Sequence, residues 1–182
     1  LENKLNQIAT ANGVGGNDPM ARFILTAHVT VLSKDITPSA PPMQQYTLEV
    51  TLYIGDGIDG TKFSAHSAVV KGVGTNESKA YIGALKSIKT NDPQYQSFIE
   101  KGKAKIVAYY NGRCGSIIKE AQTAASQGQY EEAINSLSNV PQVCSSCYMS
   151  SMDALATIYK AQIDKEGKAN LLQAKNAWNS SP

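Results

Sequence analysis

Between Asp92 and Gly128, apolar residues recur at spacings of three and four: Tyr95, Phe98, Ile99, Gly102, Ile106, Tyr109, Tyr110, Cys114, Ile117, Ile118, Ala121 and Ala125. An unbroken stripe at that period specifies one long amphipathic helix, and a chain of 182 residues must arrange the rest of itself around it. Asp92 stands where an N-cap side chain can accept from the first turn. Pro93 follows at the position where a missing N–H costs nothing, and Gly128 suits the left-handed residue beyond the C-terminus. At 1.5 Å per residue the helix spans about 50 Å. A body of this size cannot bury that length throughout, so part of the helix is expected to project.

Hydrophobic residues make up 42% of the chain, enough for a packed core in one domain with an appendage or in two small domains. Lys and Arg total 17 against 15 Asp and Glu, a formal net charge of +2. That balance gives no strong pull toward nucleic acid or an anionic membrane, which disfavours a duplex-DNA binder. No apolar run reaches the roughly 18 residues of a membrane span, and no signal-peptide pattern opens the chain. Because the first residue is Leu1, an upstream targeting segment stays open.

In chain order, Leu5 and Ile8 supply one face of a short N-terminal helix, and Gly13 to Pro19 reads as a flexible connection. Residues 1–20 are therefore expected to form an arm. Arg22 to Leu32 alternates, with Phe23, Leu25, Ala27, Val29 and Val31 on one side, and predicts a half-buried strand. Lys34 to Gln45 then reads as a Pro-rich excursion, since Pro cannot join a central ladder. It is either a surface loop or a semi-rigid arm presenting Pro38, Pro41, Pro42 and Met43 to a neighbour. Tyr46 to Ile54 alternates again, Gly55 to Gly60 turns the chain, and Lys62 to Val70 returns as the antiparallel partner. Asp56 and Asp59 belong to that hairpin tip; a calcium loop would need further oxygen ligands. His28 and His66 fall on strands with no partner evident. Thr75 or Asn76 can cap a helix bearing Ala80, Ala84, Leu85 and Ile88 on its buried face. The preceding glycines lack the Gly-Lys-Ser/Thr of a P-loop.

These elements predict an α+β fold: an antiparallel sheet of three to four strands covered by helices, followed by the long helix and a small C-terminal helical bundle. The domain reading is an arm at 1–20, a sheet domain at 21–91, and a helical appendage at 92–182. Within the appendage, Gln129 to Leu137, Ser151 to Ile163 and Ala169 to Trp178 read as separate helices. The run Ala121, Ala125, Gly128, Tyr130, Ala133, Leu137 resembles the middle of a tetratricopeptide repeat. Only one unit is visible, and Pro141 arrives early for that pattern.

Catalytic chemistry does not assemble. The two histidines lie on strands, no G-x-S-x-G turn is present, and the acidic residues are scattered or sit in helix first turns, as do Glu131 and Glu132. Lys101, Lys103, Lys105, Arg113 and Lys119 form a solvated helix face or a surface for an acidic partner or a phosphate backbone. Cys144 and Cys147 form a lone C-x-x-C; two cysteines with distant histidines fall short of a structural zinc set. Reduced, buried thiols are the plainest reading, and a bridge from Cys114 to one of the pair stays open. The sequence is therefore expected to be non-enzymatic, without cofactor or metal.

Several blocks together resemble a virion structural protein of the crAss-like phages of gut Bacteroidales. They are Leu1 to Leu5, Leu32 to Thr37 with Pro41-Pro42-Met43, Leu48 to Gly57, Lys71 to Glu77, and Ala80-Tyr81. The resemblance implies a neck or tail ring subunit below the portal of a short-tailed virion. Its implied partners are further copies in a homo-oligomeric ring, the portal and other neck or tail proteins, with a central channel where DNA could be contacted. On that reading Leu5, Ile8, Pro38, Pro41, Pro42, Met43, Tyr130 and Leu137 are candidate subunit-interface residues. The alternatives are a periplasmic or surface lipoprotein of the curli-secretion or flagellar-assembly type, and a helical-repeat adaptor for peptides.

Overall fold

A computed structural model describes residues 1–15 and 21–180. The elements are α1 (Glu2–Ala11), β1 (Phe23–Ile36), β2 (Gln44–Asp56), β3 (Lys62–Gly74), α2 (Glu77–Lys86), α3 (Pro93–Ser126), α4 (Tyr130–Ser138) and α5 (Ser145–Asn179). The fold is α+β, with a three-stranded antiparallel sheet in the order β1-β2-β3. Two compact units result, Leu1–Lys105 and Ile106–Pro182. Their division falls inside α3, beyond the boundary at 91 that composition suggests. The segment from Gly13 to Pro19 read as flexible lies partly outside the described residues.

In the first unit β2 is the central strand. Tyr46, Leu48, Val50 and Leu52 are buried on one face, while Thr47, Glu49, Thr51 and Tyr53 are half-buried on the other. The ladder with β1 runs from Phe23 opposite Asp56 to Ile36 opposite Gln44, with a register shift between Val31 and Ser33. The extra residue, Leu32, reverses the phase of alternation. A strict period-two reading therefore stops at Leu32 while the strand itself continues to Ile36. The expected long excursion contracts accordingly to Thr37–Met43. Thr37 N–H donates to the Met43 carbonyl at 2.8 Å, and Met43 N–H donates to Thr37 Oγ1 at 3.1 Å.

Helices cover the inner face of the sheet. Leu48, Val50, Leu52, Ala80, Ala84, Ile88, Tyr95, Phe98 and Ile99 form one core with Ile8 of α1. A ten-residue helix is marginal alone. Burying Ile8 stabilises its docking by roughly 2 to 3 kcal/mol, and Lys4 Nζ adds a 2.8 Å hydrogen bond to the Ile88 carbonyl. The Asn76 side chain caps α2 by accepting from Lys79 N–H at 2.9 Å. At the start of α3, Gln94 N–H donates to Asp92 Oδ1 at 2.9 Å, and Ser64 Oγ of β3 donates to the Phe98 carbonyl at 3.2 Å.

In the second unit Ala121, Ala125, Ala133, Leu137 and Ile158 make a core of small residues that lets α3, α4 and α5 approach closely. Gly128 takes φ +85°, and Gln129 N–H donates back to the Ala124 carbonyl at 2.9 Å, closing α3 as expected. The two C-terminal helices read from sequence are one helix, α5, which continues from Ser145 to Asn179. Gly167 costs about 1 kcal/mol relative to Ala in a helix. Its neighbours Lys165, Glu166 and Lys168 are strong helix formers, and Gln162 Nε2 bridges to Glu166 Oε1 at 3.0 Å one turn on. The cysteines also depart from the reduced-thiol reading: Cys114 and Cys147 form a disulfide between α3 and α5, with Cα atoms 5.5 Å apart, and Cys144 is free and buried. Closing a loop with a sequence separation of 33 removes unfolded-state entropy worth about 4 kcal/mol on a chain-entropy model.

The glycines separate tight packing from open space. A Cβ added at Gly72 would collide with the backbone of Ala80 and Ala84 in α2, whereas one added at Gly115 in α3 meets nothing within 4 Å. Gly72→Ala is therefore expected to lower stability by about 3 kcal/mol in urea denaturation. Gly115→Ala should raise it by up to about 1 kcal/mol.

Candidate functional site

The expected interface residues separate into those the fold uses internally and those it leaves outside. Ile8 and Leu137 are 1% and 0% exposed in the chain's own cores. An interface role for either is corrected on that ground, because the apolar surface a neighbour would contact is already covered. Leu5 is half-buried against the first core, and half-buried Tyr130 packs on the second. Pro38, Pro41 and Pro42 are exposed at the tip of the β1–β2 hairpin, with Met43 half-buried beneath them. Ser39 Oγ donates to the Pro41 carbonyl at 2.9 Å and shares a 2.7 Å hydrogen bond with Thr37 Oγ1. The tip is thus a hydrogen-bonded turn.

Sequence reasoning missed the larger exposed apolar side chains. On the sheet, Ile24, Val31, Leu32 and Ile36 of β1 and Val69 and Val73 of β3 are exposed; both edge strands carry such residues and central β2 has none. The other concentration lies along α5. Tyr159, Ile163, Leu171 and Leu172 are more than half exposed and Trp178 is 83% exposed. No described residue of α5 beyond Ile158 is buried. Tyr159, Ile163, Gly167, Leu171, Ala174 and Trp178 follow one another at spacings of three or four, so they share one face. The signal was present in that spacing, but a break placed near Gly167 hides it.

Among the described residues, polar side chains gather around Asp56 and around Glu77. Arg22 Nε donates to Asp56 Oδ2 at 2.6 Å, and the buried Asp56 carboxylate also accepts from Ile58 N–H at 2.9 Å, which fixes the hairpin turn. Glu77 accepts from Tyr46 Oη at 2.8 Å and from Lys34 Nζ at 3.4 Å. The Tyr46 hydrogen bond first, then Lys34, holds the Glu77 carboxyl below the usual 4.5. Tyr46 and Glu77 together raise Lys34 above 10.5. His66 is half-buried, its ring centroid 5.3 Å from that of Tyr95 and 6.0 Å from that of Phe98, while His28 is exposed. Burial, reinforced by Asp92, pushes the Tyr95 phenol up.

Between α4 and α5 lies an open groove of about 550 Å³ lined by Gly128, Tyr130, Glu131, Gln162, Lys165 and Glu166 among others. Lys165 Nζ lies 5.2 Å from the Tyr130 ring centroid. Among the described residues no group of three or more His, Cys, Asp or Glu side chains is placed to hold a metal ion. No described helix is long and apolar enough to cross a membrane. Comparison with protein-family models, curated proteins and solved structures finds no match to this chain.

The Glu77 cluster predicts a signed pH dependence. A carboxyl whose folded pKa is lowered contributes stability above its unfolded pKa and loses it as pH falls through the folded one. Lys34, raised, keeps its contribution up to about 10.5 and loses it as pH rises further. The stability excess of the wild type over Glu77→Gln should therefore be level from about pH 6 to 9. It should shrink below pH 4.5 in denaturant midpoints, and added salt should reduce it at neutral pH.

Proposed function

We propose that this chain is a non-enzymatic structural subunit that assembles beside copies of itself into a closed ring in the neck or tail of a short-tailed virion. The observation that carries the reading is the apolar face of α5 beyond Ile158, where Tyr159, Ile163, Leu171 and Trp178 face solvent. A single helix of about 20 residues is marginal without a packed face, and large exposed apolar surfaces mark contacts with other molecules. The exposed apolar residues of β1 and β3 add two further surfaces on opposite edges of one sheet. Distinct contact surfaces on one subunit are what a head-to-tail ring requires, since each copy must offer one to the neighbour on either side.

The assignment to a virion of the crAss-like type rests on the sequence blocks Leu48 to Gly57 and Lys71 to Glu77 with their companions. In that setting copies of the chain meet laterally, and α5 meets the portal or the next layer of the neck. The exposed prolines at 38, 41 and 42 supply a rigid lateral contact.

Native mass spectrometry of the purified chain tests the reading. A discrete closed oligomer is expected, and a chain that stays monomeric at high concentration would overturn it. Leu171→Glu and Trp178→Ala should each weaken assembly at least tenfold, equivalent to about 1.4 kcal/mol, as truncation of a buried aromatic or aliphatic anchor does. Both positions are exposed in the chain itself, outside its buried cores, so the urea-denaturation midpoint of the monomer should be unchanged.

A further inference from the structure

The start of α5 carries two cysteines and is tied to the third. Cys147 lies in its first turn and is bridged to Cys114 of α3. Cys144 occupies the N-cap position, its carbonyl accepting from Tyr148 N–H at 2.8 Å, so it stands in register with the same turn. Residues three apart on a helical turn have Cα atoms about 5 Å apart. That lies within the roughly 4.4 to 6.8 Å range over which disulfides form. Cys147 is therefore within bridging range of two partners, Cys114 and Cys144, and can hold only one at a time. The third sulfur is always a free thiol.

We propose that Cys114, Cys144 and Cys147 form an internal thiol–disulfide relay in which the bridge migrates from Cys114–Cys147 to Cys144–Cys147 and liberates Cys114. Cys144 Sγ, as thiolate, attacks Cys147 Sγ. The Cys144–Cys147 bond forms as the Cys147–Cys114 bond breaks, and the electron pair leaves on Cys114 Sγ, which takes up a proton. One disulfide and one thiol are present before and after, so no oxidant or reductant is consumed.

The resting side of the relay is defined by burial. Cys144 is fully buried and its thiol is pushed up from the ordinary 9.0 by desolvation, which keeps it protonated while α5 is intact. The gate is the first turn of α5, whose N-terminus has no side-chain cap: the Cys144 side chain makes no hydrogen bond to it. Such an end frays more readily than a capped one. Opening it wets Cys144 and permits attack. Migration then detaches α3 from α5 covalently and leaves a thiol at the half-buried position 114, on a different helix from the new bridge. The relay is intramolecular and does not depend on whether the chain is monomeric or assembled.

Peptide mapping of the oxidised full-length chain under non-reducing conditions, with alkylation of free thiols over time at pH 8.5, tests the proposal. In the wild type, label should appear at Cys114 together with the Cys144–Cys147 peptide, at a rate independent of protein concentration. Label at Cys114 should form at least tenfold more slowly in Cys144→Ser, which keeps the Cys114–Cys147 bridge. Cys114→Ser, placed in a glutathione redox buffer, should form the Cys144–Cys147 bridge, with circular dichroism verifying that it remains helical. Wild type labelled only at Cys144, a labelling rate that scales with concentration, or a helical Cys114→Ser that keeps two free thiols would overturn the relay.

Discussion

The first unit depends on burying a single face of a three-stranded sheet. Leu48, Val50 and Leu52 on β2 are at most 3% exposed, and α1, α2 and the beginning of α3 all dock on the surface they define. A meander of three strands has little stability by itself, because each strand offers only one face and the outer strands have one hydrogen-bonded neighbour each. The helices supply what is missing. Gly72 and Gly74 are glycine because α2 lies directly on the strand backbone, and Gly102 is buried because α3 presses there against Ile54.

The second unit solves the same problem with smaller pieces. Alanines at 121, 125 and 133 bring helix backbones together, and Leu137 and Ile158 fill the remaining space. Such a core is thin, and the disulfide from α3 to α5 compensates by limiting the unfolded ensemble. Beyond Ile158 the buried core ends, and α5 continues on the contact of Lys165 with the Tyr130 ring, on the helical propensity of its own residues and on pairs such as Gln162 with Glu166.

How much of this was legible from sequence follows from which signals are local. The long helix was readable end to end, because its stripe, Asp92 cap and Gly128 terminus agree. The three strands were readable from alternation until the bulge at Leu32 reversed the phase, and alternation carries no information across a phase slip. Gly167 in a polar run looks like a break, and only the summed propensity of its neighbours carries the helix through. The disulfide depends on α3 and α5 being adjacent, a tertiary fact that three cysteines alone do not specify. Ile8 and Leu137 are covered within the chain while Leu171 and Trp178 are not, a distinction hydrophobic spacing cannot make: it identifies a face that must be covered but not whether the cover lies in the same chain.

The bridge between positions 114 and 147 also decides how the second unit carries load. Tension entering along α3 and leaving along α5 passes through the sulfur atoms, so residues 115–146, including all of α4, lie on a slack branch that bears none of it. A backbone cut anywhere in that branch would leave the two flanking helices tied together.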